Sequence, residues 1–316
     1  VQVSIVVPLY NEAENLESLY KRIKAVADLP ADHEIVFVDD GSTDDSLRIL
    51  REIAQIDDRV RVVSFRKNFG QTAALAAVFD VVRGDVVVTL DADLQNDPAD
   101  IPRLLNKMSE GYDLVSGWRR DRKDKYLSRI LPSKIANWLI SKVTGVDLHD
   151  YGCTLKAYKR EVVENLHLYG ELHRFLPALA SWIGVSIAEI PVTHHPRLYG
   201  KSKYGISRTF KVILDLILVQ FLLRYHTRPI RIFGGGGLIS FLVGFILGCY
   251  LSVVKIFFHQ RIGNRPLLTL AVLLMILGIQ LLSIGILGEF LTRIYYESQN
   301  KKPYAVREIF PPLGGE

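Results

Sequence analysis

The sequence predicts an α/β protein: a mostly parallel sheet flanked by helices, followed by interfacial amphipathic helices and two C-terminal transmembrane helices. Three observations predict it. Short β-branched runs alternate with amphipathic stretches over the first 115 residues. One such run, Val86-Val87-Val88-Thr89-Leu90, ends on paired carboxylates, Asp91 and Asp93. Two long apolar segments, 232–258 and 267–291, lie towards the end of the chain. Alternation at this pitch marks strand–helix–strand units. Their right-handed crossovers bring parallel strand ends to one rim, where ligands of such sheets sit.

The elements follow in order. Residues 3–7 read as a strand and 12–27 as a helix with Leu16, Leu19, Ile23 and Val26 on one face. A strand at 34–38 precedes a helix at 46–56, which Ser, Thr and Asp capping residues open. A strand at 61–65, an Ala-rich helix at 71–82 and a strand at 85–90 come next, then a helix at 101–109 and a strand at 113–116. From about 117 the pattern changes. Residues 118–125 carry Arg119, Arg120, Arg122, Lys123 and Lys125. Residues 126–143 and 207–225 then read as amphipathic helices with basic flanks, suited either to a membrane interface or to a protein core.

Both apolar segments exceed the ~20 residues that cross a bilayer. Each carries a single charge, near its end: Lys255 in the first and Glu289 in the second. The glycine run 234–237, with Gly244 and Gly248, permits close helix packing, and a homo-oligomer is expected. Arg224, Arg228 and Arg231 precede the first segment, and Arg293, Lys301, Lys302 and Arg307 follow the second. By the positive-inside rule both ends are cytoplasmic, although Arg261 and Arg265 in the connecting turn weaken the asymmetry. No secretory signal is visible, so the soluble part is expected on the cytoplasmic face of the inner (plasma) membrane. The expected divisions are 1–206, an interfacial helix at 207–228, a transmembrane hairpin at 229–295 and a tail at 296–316.

Charge is split unevenly. Residues 1–115 hold 12 Lys+Arg against 21 Asp+Glu, and the remainder hold 27 against 13. A basic second part calls for an anionic partner, nucleic acid or phospholipid. Its charges border apolar amphipathic segments, which favours lipid over nucleic acid. Cys153 and Cys249 are the only cysteines, too few for a disulfide framework or a thiolate metal cluster. His149, His167, His173, His194 and His195 show no zinc spacing, and His194-His195 before Pro196 reads as a strand end.

Four signals fall on the expected rim: Pro8-Leu9-Tyr10-Asn11-Glu12, Asp39-Asp40-Gly41-Ser42-Thr43-Asp44, Arg66-Lys67-Asn68-Phe69-Gly70-Gln71, and Asp91-Ala92-Asp93-Leu94-Gln95. Tyr10 could cover a base or ribose, and a carboxylate at 39–40 could accept from a base or ribose. Basic side chains at a helix N-terminus favour phosphate. Paired hard oxygens suit Mg²⁺ or Mn²⁺ held together with a diphosphate. Turn and helix-cap chemistry explains each signal singly but not four in register.

These motifs together resemble glycosyltransferase family 2, with its nucleotide-sugar-binding GT-A fold, from residue 3 to about 210. Within it the chain is most similar to the polyprenyl-phosphate glycosyltransferases, the branch of dolichol-phosphate mannose synthase and bacterial bactoprenol glucosyltransferases. The resemblance implies that Pro8, Tyr10, Glu12, Asp39 and Asp40 meet the nucleoside, Lys67 and Gln71 the nucleotide phosphates, and Asp91 the sugar or ribose. Asp93 and Gln95, with Asp91 beside them, would ligate the metal. Arg119, Arg129, Ser133, Arg197 and Lys201 match positions that hold the acceptor phosphate. In the loop 199–205, Lys201 or Lys203 would meet the diphosphate. Asp91, Asp93, Asp150 and Lys203 are the implied catalytic set. Asp150 opens a segment where the family has Asp-x-x-Ser-Gly-Phe-Arg and this chain has Cys153-Thr154-Leu155-Lys156. Glu171, His173 and Arg174 resemble an acceptor-lining segment or, equally, a capped helix start.

The expected reaction is inverting, metal-dependent transfer of one sugar from a nucleotide donor to polyprenyl phosphate. UDP-glucose is the preferred donor, with GDP-mannose or another UDP-sugar open, and undecaprenyl phosphate is the preferred acceptor. A flippase would then carry the product across the membrane. A phosphate monoester is largely ionised near neutrality (second pKa ~6), so it needs positive charge beside it more than a base. A processive polysaccharide synthase would carry Gln-x-x-Arg-Trp and more spans. A non-catalytic adaptor would not need Asp91, Asp93 and Gln95.

Overall fold

The computed structural model of the protein describes residues 2–120, 131–166, 172–196, 230–259, 261–263, 265–298 and 306–311. The chain divides into two units, 1–219 with 302–316, and 220–301.

The first unit is built on β1 (Val3–Leu9), whose seven residues are all buried. Burial on both faces is why it reads as a continuous apolar run. Parallel to it on either side lie β2 (His33–Asp39) and β4 (Val86–Thr89), and β3 (Val60–Phe65) is parallel to β2. Side chains alternate between faces. Ile5, Val7, Ile35 and Phe37 enter one core with Leu16, Leu19 and Ile23 of α1 (Ala13–Lys24), Leu50 of α2 (Ser46–Ile56) and Leu104 of α4 (Ile101–Ser109). Val6, Val36 and Val38 enter the other, against Ala74 and Val78 of α3 (Gln71–Phe79).

Beyond β4 antiparallel pairings join the parallel ones, so the sheet is mixed. β5 (Leu114–Trp118) is separated from β4 by β6 (Lys156–Lys159), antiparallel to both. β7 (Ile187–Pro191) runs parallel to β5 at one edge. At the other edge β8 (Val306–Phe310) pairs antiparallel with β3, so the order is β7-β5-β6-β4-β1-β2-β3-β8. The segment expected as a tail thus contributes an edge strand. Val306 and Ile309 pack on one core and Phe310 on the other, and Glu308 pairs with Arg51 of α2. The connections also carry α5 (Leu131–Thr144), α6 (Arg160–Glu164) and α7 (Leu176–Trp182). The expected interfacial helix at 207–225 lies outside the described residues, as does the start of the one expected from 126.

The second unit is a hairpin of α8 (Ile230–Phe257) and α9 (Pro266–Ser298). Its candidate spans, Phe233–Phe257 and Pro266–Gly288, have mean hydropathies of 2.3 and 2.6 and are only 22% and 17% buried, unlike core helices of a soluble protein. Glycines set the approach of the two helices. A Cβ on Gly237 would lie 2.7 Å from the Gly278 carbonyl oxygen, and one on Gly244 would lie 2.7 Å from that of Ala271. Ser240 Oγ donates to the Leu274 carbonyl across the same contact at 2.9 Å.

Asp113 binds three elements at the sheet edge. It accepts from Lys159 Nζ at 2.6 Å, from Ser186 N at 2.7 Å and from Ser186 Oγ at 2.8 Å. The Lys159 and Ser186 hydrogen bonds hold its carboxyl down to about 2. A depressed carboxylate adds stability above its unfolded value of ~3.9, and loses it as pH falls through the folded value. Asp113→Ala should therefore destabilise the fold by about 1–3 kcal/mol at pH 7. In chemical denaturation the gap between variant and wild type should narrow as pH falls from about 4 towards 2.

Candidate active site

The β1–α1, β2–α2, β3–α3 and β4–α4 loops meet on one rim, and side-chain bonds to neighbouring backbone stitch them together. Asn11, in the left-handed region at φ 54°, donates its N–H to Ser42 Oγ at 2.9 Å and accepts from Thr43 N at 2.8 Å. Glu12 N donates to Ser46 Oγ at 3.0 Å and Ala13 N to Asp44 Oδ2 at 3.2 Å. Asp40 braces the next loop, accepting from Phe69 N at 2.7 Å and Gly70 N at 2.8 Å. Gly41 is required where these loops touch: its φ is +70°, and a Cβ would lie 2.4 Å from the Lys67 carbonyl carbon. Gln71, first in α3, donates from Nε2 to Asp91 Oδ1 at 2.9 Å.

The result is a cavity of about 220 Å³ lined by Pro8, Tyr10, Glu12, Asp40, Gln71, Asp91 and Asp93, among others. These seven are residues expected at the donor or metal site. Asp39 is not in the lining. Its carboxylate accepts from Ser42 N at 2.9 Å and Ser64 Oγ at 3.1 Å. Lys67 is exposed and rests over the Phe69 ring at 5.0 Å. Gln95 also lies outside the lining; its carbonyl accepts from His195 N at 2.8 Å.

Burial and the neighbouring Asp93 carboxylate push Asp91 up to about 7. Between these two residues and Gln95, Leu94 takes a left-handed backbone at φ 60°. That conformation costs about 1–3 kcal/mol in a non-glycine residue. Here the Leu94 side chain is buried in the core, and Asp93 Oδ1 accepts from Gln95 N at 3.1 Å. Among the described residues no cluster of three or more His, Cys, Asp or Glu side chains forms. Asp91 and Asp93 are thus a two-carboxylate donor set at a cavity wall. It fits a hard divalent cation that takes its remaining oxygens from a diphosphate and water, and not a closed protein cage.

A cationic group stands behind the carboxylates. Arg119 donates to Asp150 twice, Nε–Oδ2 at 2.7 Å and Nη2–Oδ1 at 2.9 Å. Burial opposes its charge, but the Asp150 pairing prevails and raises its pKa. Asp150 itself is held by Gly152 N at 3.1 Å and, through its own N–H, by Glu189 Oε1 at 3.0 Å. Glu189 also accepts from His149 N, at 3.1 Å, and lies 2.8 Å from His149 Nδ1. The His149 ring stacks on Trp118 at 4.3 Å. Lys156, which sequence reading left unassigned, is buried, and its ammonium donates to the Tyr151 and Cys153 carbonyls. Burial lowers its pKa, and its field reaches both Asp91 and Asp150. The available signal was its place six residues after Asp150, where the family pattern Asp-x-x-Ser-Gly-Phe-Arg ends in a basic residue.

Two histidine expectations resolve differently. His194 bridges to Asn96, and His195 Nε2 lies 2.7 Å from Asp97 Oδ2, so this segment docks on the loop after Asp93. His173 Nδ1 lies 2.8 Å from Thr72 Oγ1, next to Gln71. Ser133 is half-buried on α5. Arg129, Glu171, Arg197, Lys201 and Lys203 lie outside the described residues.

The family model described as glycosyl transferase family 2 matches residues 4–166. The chain is 43% identical over 315 residues to dodecaprenyl-phosphate galacturonate synthase of Rhizobium johnstonii, covering 98% of this chain and 93% of that one. It is 39% identical over 312 residues to undecaprenyl-phosphate 4-deoxy-4-formamido-L-arabinose transferase of Pseudomonas aeruginosa, covering 97% and 90%. Among solved structures it is similar to glucosyl-3-phosphoglycerate synthase from Mycobacterium tuberculosis, crystallised with Mn²⁺, uridine diphosphate and glucosyl-3-phosphoglycerate. That likeness has a TM-score of 0.53 at 22% identity over 70% of this chain and 79% of the other, and it shows the GT-A fold. A family match over half the chain, and relatives aligned along nearly all of it, make this protein a glycosyltransferase that belongs to glycosyl transferase family 2.

Proposed function

We propose that the protein transfers a single sugar from a UDP-linked donor to a polyprenyl phosphate at the cytoplasmic face of the inner membrane, with inversion at the anomeric carbon. The observation that carries this is the full-length similarity to two enzymes whose names both specify a prenyl-phosphate acceptor, in a chain with two candidate spans. Their sugars differ, galacturonate in one and formamido-arabinose in the other, so the acceptor is the shared element. UDP-glucose is one donor to test among several. The same-fold neighbour that holds Mn²⁺ with uridine diphosphate favours a uracil base and a divalent metal.

In this reading Pro8, Tyr10, Glu12, Asp40 and Gln71 form the donor cavity. Asp91 and Asp93 would hold Mg²⁺ or Mn²⁺, which when bound neutralises the diphosphate. The acceptor phosphate oxygen attacks the anomeric carbon, the bond to the nucleoside diphosphate breaks, and its electron pair leaves with the diphosphate. The acceptor is already anionic, so no strong base is required. Asp150 is then a positioning residue: both of its oxygens are engaged by Arg119, which it fixes for an incoming phosphate. Lys156 adds positive charge from beneath. Arg129, Ser133, Arg197, Lys201 and Lys203 complete the phosphate-binding set by resemblance.

β8 pairs with β3 after two spans, which supports a two-pass chain with both ends on the cytoplasmic side. A fluorescent-protein fusion at the C-terminus should fluoresce, and a periplasm-active phosphatase fusion there should be inactive. The reverse pattern would overturn the topology.

The reaction is tested with purified protein, undecaprenyl phosphate, Mg²⁺ or Mn²⁺, and a panel of UDP-glucose, UDP-galacturonate, UDP-linked formamido-arabinose and GDP-mannose. One donor should move label into the lipid phase. EDTA should abolish this, and Asp93→Ala should lower it by about 10²-fold or more. Absence of label from every donor, with nucleotide binding intact, would overturn the acceptor.

Asp150→Asn should raise the KM for lipid phosphate by about 10-fold or more, as loss of an orienting partner does, and leave the donor KM nearly unchanged. A loss confined to kcat, with a changed pH profile, would instead make Asp150 a base.

A further inference from the structure

Glu189 is the one acidic residue of β7, and it lies outside the cavity lining. In the parallel pairing of β5 with β7, Leu114 sits opposite Ile187, Ser116 opposite Glu189 and Trp118 opposite Pro191. Leu114 and Ile187 both pack in the core that holds Ala74 and Val78. Residues two apart along a strand share a face, so Glu189 and Trp118 leave the sheet on that same side.

Three N–H groups of the loop before β6 converge on Glu189. Oε1 accepts from Asp150 N at 3.0 Å, Oε2 accepts from His149 N at 3.1 Å, and His149 Nδ1 lies 2.8 Å from Oε2. The Glu189 side chain is only 10% exposed, and among the described residues no Lys or Arg pairs with it. So enclosed a carboxylate is tolerated because both of its oxygens are hydrogen-bonded. Two consecutive backbone N–H groups reach one carboxylate only when both peptide planes turn towards β7. Glu189 thus fixes the backbone from which the Asp150 side chain starts.

The same loop meets the end of β5 in two successive contacts. The His149 ring stacks on Trp118 at 4.3 Å, and Asp150 pairs with Arg119. Glu189 holds both contacts from the loop side. Arg119 spends Nε and Nη2 on Asp150. This side-on pairing leaves the Nη1 edge of the guanidinium to meet another anion, in a direction set by where Asp150 sits.

We propose that Glu189 is a positioning residue for sugar transfer: with His149 it aligns Asp150, and through Asp150 the Arg119 guanidinium, with the acceptor phosphate. The inference rests on the reading of Arg119 as a ligand of that phosphate and extends the acceptor site to the edge strand β7. A purely structural tie between β7 and the loop would disturb donor and acceptor use alike. Alignment of Arg119 acts on the acceptor alone.

The test uses the full-length protein in detergent, undecaprenyl phosphate, and whichever donor of the panel labels the lipid. Glu189→Ala should raise the KM for undecaprenyl phosphate by about 10-fold, as loss of an outer orienting partner does, and leave the donor KM nearly unchanged. Glu189→Gln offers one oxygen in place of two, so it accepts from only one of the two backbone N–H groups and should recover part of that rise. His149→Ala keeps its backbone bond and loses the ring, and should raise the acceptor KM by less than Glu189→Ala does. In an Arg119→Ala background, adding Glu189→Ala should cost nothing further, because no guanidinium remains to be aligned. Nucleotide binding reports that each variant is folded; if Glu189→Ala loses it, Glu189→Gln and His149→Ala carry the same comparison. With wild-type transfer and the Arg119→Ala acceptor defect in place, three results would overturn the inference alone: an unmoved acceptor KM, a parallel rise in both KM values, or an undiminished effect on the Arg119→Ala background. An unmoved acceptor KM in Arg119→Ala, or no lipid label from wild type with any donor, would overturn the reading beneath it and the inference together.

Discussion

Asp91 and Asp93 are two carboxylates held beside each other at a half-buried rim, and much of the site is organised around making that tolerable. Burial raises the cost of charge on Asp91, and Asp93 raises it further. The protein answers with hydrogen bonding and with cations. Gln71 donates to Asp91 from the start of α3, and Arg119 and Lys156 direct positive charge at it from β5 and β6. The remaining deficit of positive charge at the cavity wall is one that a divalent cation can fill. Positioning of the donor and tolerance of the carboxylates are thus one electrostatic problem.

Solving it requires that four loops from four strands hold their relative positions. Strand ends alone do not provide that, because loops of this kind are otherwise the loosest part of an α/β sheet. Here the short polar side chains of Asn11, Ser42, Asp44 and Ser46 act across loops rather than within one turn. Asp40 works in the same way, spending both oxygens on the backbone of the next loop. The bond pattern converts separate turns into one rigid rim, and the left-handed residues Asn11, Gly41 and Leu94 mark where the backbone bends to allow it.

This division explains what could be read from the chain alone. β1 to β4 are buried on both faces and stand out as apolar runs, while α2 and α4 span the residues expected of them, 46–56 and 101–109. The carboxylate pair is legible because it follows such a run directly. β6 is not. Its four residues include Lys156 and Lys159, and its burial arises only when it inserts antiparallel between β4 and β5. β8 alternates charged and apolar residues beyond the hairpin, and its partner lies some 240 positions earlier. The same limit applies at the site. The pairing of Arg119 with Asp150 spans 31 positions, and neither residue type announces the other. Asp39 and Asp40 are adjacent in sequence, yet one faces the cavity and one faces inward, because successive residues leaving a strand point to opposite sides.

The edge strand β8 is supplied by the chain that follows the two apolar helices. Val62, Val63 and Ser64 of β3 face it in register, and without it the edge would present unpaired backbone groups beside apolar side chains. The chain reaches that edge only after passing through α8 and α9, so the sheet is completed by a segment that has left the first unit and returned. The hydrogen bonds of β8, the Arg51–Glu308 pair and the packing of Phe310 hold this returning segment on the sheet. Completion of the sheet thus depends on a segment that follows the two apolar helices in the chain.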